Sequence, residues 1–172
     1  FLNTPTKKLK YVKPEHAIKH PVWEMGKKIS IDSATMINKA LEIVEASVLF
    51  DLKASEIEVV IHPESIIHGL VHYKDGSIMA NLGFPDMITP ISVALSWPDR
   101  LDLNIKKISL VDLGNFSFFK PDIVKFPGLK LGWETLQNPF CSPIVLNASN
   151  EIAVDYFLKN KIKFTDIFNV IV

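Results

Sequence analysis

The feature that constrains this chain most is an apolar run from Ala34 to Phe50 that contains neither glycine nor proline. Alanine, leucine and glutamate recur in this run, and these residue types favour the α-helix. We therefore predict one helix over 34–50. Asp32 and Ser33 directly precede the run, where a side-chain oxygen can cap the free N–H groups of a first helical turn. We expect the helix to start there.

The predicted helix carries its polar side chains on one narrow face. At about 100° per residue, these side chains share an arc of roughly 120°. They are Thr35, Asn38, Lys39, Glu42 and Glu45. Apolar residues fill most of the remaining surface, which predicts a buried helix with one polar face. Buried polar groups need protein partners, a ligand or a metal ion.

Three residues of this face, Asn38, Lys39 and Glu42, are called the polar strip below. An asparagine offers a donor and an acceptor, a lysine a positive charge, and a glutamate a hard oxygen ligand for a cation. Ser33, at the predicted helix N-terminus, would add N–H groups that suit a phosphate. The same spacing also fits an amphipathic helix stabilised by pairs between these side chains, and the pattern alone favours neither interpretation.

The residues around this helix resemble a known family. The run from His20 to Glu42 reads H-P-V-W-E-M-G-K-K-I-S-I-D-S-A-T-M-I-N-K-A-L-E and is similar to the signature of 1-deoxy-D-xylulose 5-phosphate reductoisomerase. Further matches, in the family's order, are E-V-V-I-H-P-E-S-I-I-H (58–68), D-G-S (75–77), L-G-F-P-D-M (82–87), T-P-I (89–91), W-P-D-R (97–100), L-N-A-S-N-E (146–151) and F-T-D-I (164–167). A resemblance over essentially the whole chain is far more specific than a lone short motif.

The resemblance implies an enzyme of isoprene biosynthesis by the non-mevalonate (MEP) pathway. Such an oxidoreductase and isomerase converts 1-deoxy-D-xylulose 5-phosphate to 2-C-methyl-D-erythritol 4-phosphate. A divalent metal (Mg²⁺, Mn²⁺ or Co²⁺) assists the rearrangement of the carbon skeleton, and NADPH then reduces the resulting aldehyde. The resemblance also implies a homodimer. Two alternatives stay open, namely a non-catalytic dimerisation or scaffold module and a metal-dependent phosphosugar lyase or isomerase without nicotinamide.

The resemblance further implies roles for individual residues. The residues expected to bind the substrate, either directly or from a mobile flap, are His20, Trp23, Met25, Ser33, Asn38, Lys39 and Met87. Lys39 and Glu42 are the expected catalytic residues, and Glu42 is the expected metal ligand. Gly26 would lie near the nicotinamide cofactor. The chain departs from the family at Ala40, where glycine is common, and at Glu64, where glutamine is common; Glu64 has no assigned role.

The rest of the pattern predicts an α+β fold, with a mixed sheet and packed helices, an extended linker, and the start of an α-helical domain. Strands are predicted over 56–62, 67–73 and 77–82, with a hairpin turn at 74–76. Helices are predicted over 87–97, 129–137, 143–159 and from 165 onward, with a phenylalanine-rich arm over 101–127. We expect a catalytic and dimerisation domain over 1–105, a linker over 106–125 and the start of a helical domain over 126–172.

Composition argues against several functional classes. Nineteen basic and 19 acidic residues give a formal net charge of zero, so no global charge favours nucleic acid. No apolar run reaches the roughly 18 residues of a membrane span. Cys141 is the single cysteine, so no internal disulfide forms. His68 and His72 would lie about 13 Å apart on a strand, too far to share one metal ion.

None of the 7 glycines forms a G-x-G pair, so no dinucleotide-binding fingerprint is present. The resemblance implies that the nucleotide domain and two further metal carboxylates precede residue 1, and the segment alone is expected to be inactive. A single arginine, Arg100, among the 19 basic residues leads us to expect a plastid of the apicoplast type, with bacterial cytoplasm as the alternative.

Overall fold

A computed structural model describes residues 1–19, 25–138 and 141–172. The helices are α1 (Thr6–Leu9), α2 (Pro14–Ala17), α3 (Lys27–Thr35), α4 (Ile37–Phe50), α5 (Ile88–Ser96), α6 (Leu110–Leu113), α7 (Lys130–Leu136), α8 (Ser142–Leu158) and α9 (Asp166–Ile171). The strands are β1 (Ile67–His72) and β2 (Ile78–Leu82), and short 3₁₀ turns occupy Ala54–Glu56 and Pro127–Leu129. The α+β class predicted from the sequence is confirmed. Over the described ranges, each helix is too short or too polar to cross a membrane.

The contacts divide the chain into two compact units. The first, called the helical unit, contains Phe1–Val59 and Lys120–Val172. The second, called the hairpin unit, is the intervening segment Val60–Phe119. The helical unit is therefore assembled from both ends of the sequence. The domain limits predicted at 105 and 125 stay a prediction.

The core of the helical unit is centred on α8. Its buried apolar members are Leu9, Ala17, Ile31, Ile37, Ala153, Val154, Phe157, Phe164 and Ile167. The rings of Phe157 and Phe164 meet edge to face, with centroids 5.8 Å apart. Full burial of a large apolar side chain contributes roughly 1.5–3 kcal/mol. This core holds α3, α7 and α9 against α8.

Helix α7 lies unusually close to α4. A Cβ atom added to Gly132 would lie 2.7 Å from the carbonyl oxygen of Ala40 and 2.9 Å from Ile43 Cδ1. One turn earlier, a Cβ atom on Gly128 would lie 2.8 Å from Ile37 Cγ1. Real Cβ contacts are essentially never that short, so the two glycines allow the close approach. The face of α4 that carries Ile37, Ala40 and Ile43 is buried as a result.

The single helix predicted over 34–50 is interrupted. Met36 adopts the left-handed conformation, with φ 63° and ψ 13°, between the end of α3 and the start of α4. The Thr35 hydroxyl donates to the carbonyl of Ile31 at 3.0 Å and accepts from the N–H of Ile37 at 3.4 Å. These local hydrogen bonds satisfy backbone groups at a break that no glycine or proline marks in the sequence.

The hairpin predicted in the second unit is confirmed. β1 and β2 pair antiparallel, with Leu70 opposite Ala80. Gly76 takes φ 86° in the turn, and the N–H of Tyr73 donates to the Ser77 carbonyl at 2.9 Å. The prediction of a further strand over 56–62 is wrong. In the described part of the chain, this segment makes only an isolated bridge, between Ile61 and Phe119, so the predicted mixed sheet is a two-stranded antiparallel sheet.

The phenylalanine-rich arm is anchored within the hairpin unit by His62. The imidazole stacks on Phe118, with centroids 5.0 Å apart, and meets Phe116 edge to face at 5.6 Å. His62 Nδ1 lies 2.9 Å from Glu64 Oε2. The pKa of Glu64 is lowered, first by its own backbone N–H and then by hydrogen bonds from Ser117. Glu64, which has no role in the resemblance, thus helps to hold the arm. The arm is not extended throughout, because α6 interrupts it.

Candidate functional site

The polar strip forms one connected group on the first turns of α4. Asn38 Nδ2 donates to Glu42 Oε1 at 2.6 Å, and Lys39 Nζ donates to Glu42 Oε2 at 2.5 Å. Residues three and four positions apart face each other on a helix, which explains both contacts. The strip therefore places an amide, an ammonium and a carboxylate within hydrogen-bonding distance of one another.

The strip is half-exposed rather than buried. The side chains of Lys39 and Glu42 are 44% and 42% exposed. At the other end of α4, Val48, Leu49 and Phe50 are exposed as well. The prediction of a buried helix is wrong, because the elements that contact α4 in the described chain, namely α3, α7, α8 and the turn Pro127–Leu129, leave these side chains exposed. Exposed ion pairs contribute only about 0–1 kcal/mol, so a ligand could replace these contacts at little cost.

The helix N-terminus next to the strip is that of α4. Asp32 and Ser33 lie inside α3, so the prediction that they cap a helix start is wrong. Asn38 and Lys39 lie in the first turn of α4, where N–H groups lack partners within the helix and the helix dipole favours an anion. A helix N-terminus is thus present a few residues beyond Ser33, and anion binding there stays a prediction.

Gly26 is the residue before α3. Its carbonyl accepts the N–H of Ser30 at 3.1 Å and the Ser30 hydroxyl at 3.0 Å. A Cβ atom at Gly26 would find no atom of the described chain within 4 Å. Met25 precedes it and is half-buried. His20 and Trp23, the other residues predicted in this region, lie outside the described residues.

Met87 belongs to the hairpin unit, where it is the residue before α5 and is exposed. The neighbouring Asp86 carboxylate accepts the N–H groups of Ile88 at 2.9 Å and Thr89 at 3.4 Å, which caps the helix. A pocket shared by Met87 and the polar strip stays a prediction.

A polar cluster formed by Lys28, Asp32 and Asn150 was not predicted from the sequence. Asp32 Oδ2 accepts from Lys28 Nζ at 2.7 Å, and Asp32 Oδ1 accepts from Asn150 Nδ2 at 2.9 Å. The spacing of Lys28 and Asp32 within one helix was a usable signal for their pair. No local signal links Asp32 to Asn150, which is 118 positions away.

Glu42 is the only metal ligand that the sequence assigns. Across the described ranges, no group of three or more histidine, cysteine, aspartate or glutamate side chains is arranged to hold a metal ion. Ca²⁺ and Mg²⁺ are bound by several oxygen ligands. The Glu42 carboxylate, held by Asn38 and Lys39 at an accessible helix face, fits one such ligand but cannot form a site alone.

Comparison with known families covers most of the chain. The model of the DXP reductoisomerase C-terminal domain matches residues 82–172. The model of the 1-deoxy-D-xylulose 5-phosphate reductoisomerase C-terminal domain matches residues 1–50. The 1-deoxy-D-xylulose 5-phosphate reductoisomerase of Prosthecochloris aestuarii is 54% identical over 167 residues, which is 97% of this chain and 44% of that protein. The enzyme of the same name from Ehrlichia canis is 51% identical over 173 residues, 99% of this chain and 45% of its own length.

Solved structures give the same result. A DOX-P reductoisomerase in complex with NADPH, fosmidomycin and magnesium is 48% identical, with a TM-score of 0.95 over 99% of this chain and 42% of that one. The 1-deoxy-D-xylulose 5-phosphate reductoisomerase of Zymomonas mobilis in complex with NADPH is 43% identical, with a TM-score of 0.90 over 98% of this chain and 43% of that one. The chain thus spans less than half the length of these relatives. Because one family model matches more than half of its residues, the chain belongs to the 1-deoxy-D-xylulose 5-phosphate reductoisomerase family.

Proposed function

We propose that this chain is part of an NADPH- and divalent-metal-dependent enzyme that converts 1-deoxy-D-xylulose 5-phosphate to 2-C-methyl-D-erythritol 4-phosphate. The observation that carries the proposal is the polar strip. Its cation, amide and carboxylate share one accessible face at a helix N-terminus, in a chain that belongs to this family. A phosphosugar and a divalent metal require these group types.

Each residue of the strip binds a different part of the substrate in this proposal. The Lys39 ammonium and the N–H groups of the first turn of α4 favour negative charge, and therefore hold the phosphate end or an oxyanion. The Asn38 amide donates to or accepts from a substrate hydroxyl. Ser33 contributes its hydroxyl from α3. Binding energy from the phosphate, remote from the reacting carbons, supports closure of a covering segment over the substrate.

The remaining predicted residues complete the site in this proposal. His20 reaches the phosphate, and Trp23, Met25 and Met87 provide an apolar cover that excludes water from the reacting carbons. Gly26 lies beside the nicotinamide, and the open space at its α-carbon on the described chain supports this placement.

Glu42 acts as one carboxylate ligand of the metal, and the other ligands come from outside this chain. When bound, the divalent cation supplies Lewis-acid stabilisation of developing oxyanion charge. Asn38 and Lys39 orient the Glu42 carboxylate, because each of them donates to one of its oxygens. Loss of such orienting contacts typically lowers metal affinity or activity by about 10- to 100-fold.

The experiment that tests this function uses the complete protein. We expect oxidation of NADPH on addition of 1-deoxy-D-xylulose 5-phosphate, dependence on a divalent metal, and loss of turnover after chelation. Rearrangement or cleavage of the phosphosugar without NADPH consumption would support the lyase or isomerase alternative instead. Absence of any change in the phosphosugar would leave the scaffold alternative.

The hairpin unit supports the further proposal that the complete protein is a homodimer. Large apolar side chains are exposed on this unit, and they include Val71, Ile78, Met79, Ile88, Ile91, Leu95 and Trp97. An isolated two-stranded hairpin is marginally stable in water, and its strand edges can pair with another chain. Several large apolar side chains exposed on one small unit support an interaction surface there. A second copy of the same unit would cover it.

Sedimentation of the complete protein tests the dimer. We expect Leu95→Asp to convert a dimer into monomers, because it would bury an unpaired charge at the interface. Leu95 is 82% exposed in this chain. The matched control is Val124→Asp on the helical unit, where the side chain is 84% exposed, and it should leave the dimer intact. A wild-type protein that sediments as a monomer at all concentrations would contradict the proposal.

The relatives named above come from bacteria. Among the two locations expected from the sequence, their origin favours the bacterial cytoplasm as the place of action. The plastid location stays a prediction.

A further inference from the structure

The cluster of Lys28, Asp32 and Asn150, called the Asp32 cluster below, has no role in the proposed chemistry. Asp32 is only 2% exposed and Asn150 is fully buried. Lys28, on the first turn of α3, approaches the carboxylate from the surface with a side chain that is 40% exposed. The cluster therefore connects α3 to α8 through the core of the helical unit by a charged hydrogen-bond network.

This cluster is not the arrangement that a stability requirement alone would produce. A carboxylate and an amide are buried in the same unit as the apolar core residues Ala153 and Val154. Within the part of the chain that the structure describes, the Asn150 Oδ1 atom is buried without a hydrogen-bond partner. Buried polar groups of this kind reduce stability relative to well-packed apolar residues. A specific requirement for orientation explains their presence better than a requirement for stability.

The position of Asp32 shows what the cluster orients. Ser33 is its immediate neighbour on α3, and the break at Met36 that leads into the polar strip follows within one turn. Successive helical residues point about 100° apart, so fixing the Asp32 carboxylate fixes the rotation of α3 about its axis and with it the direction of Ser33. The donor that fixes it, Asn150, belongs to α8, where Leu146, Ala153, Val154 and Phe157 are buried as well.

We propose that the Asp32 cluster positions the phosphate-binding end of the site. Asn150 and Lys28 hold α3 in the orientation that presents Ser33 and the first turn of α4 to the substrate's phosphate. The three residues are positioning residues, since none of them touches the substrate. The identity of the ligand in this proposal rests on the proposed function.

The main test compares two asparagines of α8 in the complete protein. Asn150→Leu removes the donor to Asp32, whereas Asn147→Leu is the matched control, because Asn147 is exposed and its amide donates to Glu151 of the same helix at 3.5 Å. We expect Asn150→Leu to raise the KM for the phosphosugar roughly 10- to 100-fold, in the range known for small misplacements of binding groups. The KM for NADPH should stay unchanged, and Asn147→Leu should change neither value. A purely structural role would lower the amount of active enzyme without separating the two KM values.

A second measurement is independent of activity. Hydrogen exchange of the complete protein should show faster exchange of the amides of residues 27–39 in Asn150→Leu, and wild-type rates in Asn147→Leu. If the wild-type protein does not turn over the phosphosugar, the proposed function fails and the positioning role fails with it, while the exchange rates then report only how firmly the cluster holds α3. If Asn150→Leu does not fold, Lys28→Met, which changes a half-exposed side chain, takes its place in both measurements. An unchanged phosphosugar KM in the folded variant overturns the proposal, whatever its exchange rates are.

Discussion

Replacing Glu42 by glutamine in the complete protein will reduce metal-dependent turnover by about 100-fold or more while the protein stays folded. Glutamine keeps the size of the side chain and one oxygen acceptor, but it removes the negative charge that a hard divalent cation requires. Removal of a metal ligand should cost at least as much as the 10- to 100-fold known for removal of an orienting neighbour, hence the estimate of about 100-fold. Steady-state turnover measured at increasing metal concentration checks the prediction, and excess metal should restore part of the activity.

The fold should tolerate this change because the Glu42 side chain is 42% exposed. Surface substitutions of this kind usually change the free energy of unfolding by less than about 0.5 kcal/mol. Glu45→Gln is the matched control, since Glu45 is exposed on the same helix and lies one turn away. Equal turnover of wild type and Glu42→Gln at all metal concentrations would remove Glu42 from the metal site.

Gly132→Ala will destabilise the protein by about 1–3 kcal/mol, the range for an overpacked core. The added Cβ atom would lie 2.7 Å from the carbonyl oxygen and 2.9 Å from the Cα atom of Ala40. Backbone atoms cannot move aside as a flexible side chain can, so α7 must shift away from α4. Alanine favours the helix over glycine by roughly 1 kcal/mol, and the net loss is expected in spite of this gain. Chemical denaturation of the complete protein measures the difference.

Gly69→Ala provides the control, because a Cβ atom there would meet no atom of the described chain within 4 Å. Its unfolding midpoint should equal or slightly exceed that of the wild type. Adding Ala40→Gly to Gly132→Ala should give no rescue, because the carbonyl oxygen and the Cα atom that the added Cβ atom meets remain in place. A wild-type midpoint for Gly132→Ala alone would show that the two helices do not pack as closely as described.

Elements whose stabilising contacts lie close in sequence were predicted well. The turn residues at 74–76 identified the hairpin, because aspartate and glycine supply the hydrogen bonds and the positive φ angle that the turn requires. The helix predicted over 143–159 corresponds to Ser142–Leu158, and that over 129–137 to Lys130–Leu136. In each of these segments, the local preference and the final structure agree.

Elements that depend on distant contacts were predicted poorly. Asp32 precedes an apolar run and so has the sequence environment of a helix cap, but its carboxylate is held by Asn150 of another helix. The β-branched run over 56–62 has the composition of a strand, yet it acquires a bridge only at Ile61. Strand formation needs a partner along the whole segment, which composition cannot supply.

The candidate site was predicted in part. The spacing of Asn38, Lys39 and Glu42 indicated that these side chains share a face, and their hydrogen bonds confirm it. The predicted burial of the helix that carries the strip was wrong, because helical periodicity gives the width of an apolar face but not how much of that face a neighbouring element covers. The chemical role of each residue came from the family resemblance and stays a prediction.

The helical unit is formed by two segments that the ribosome synthesises at different times, because the hairpin unit lies between them in the sequence. Ile37 and Ala40 are synthesised before α7, which covers them, and the whole segment 60–119 lies between. At the usual rate of elongation, this apolar face of α4 stays exposed for several seconds of translation, because α7 has not yet been synthesised. The nascent chain is therefore vulnerable to aggregation in that interval, and a chaperone that binds short apolar helices would protect it until α7 emerges.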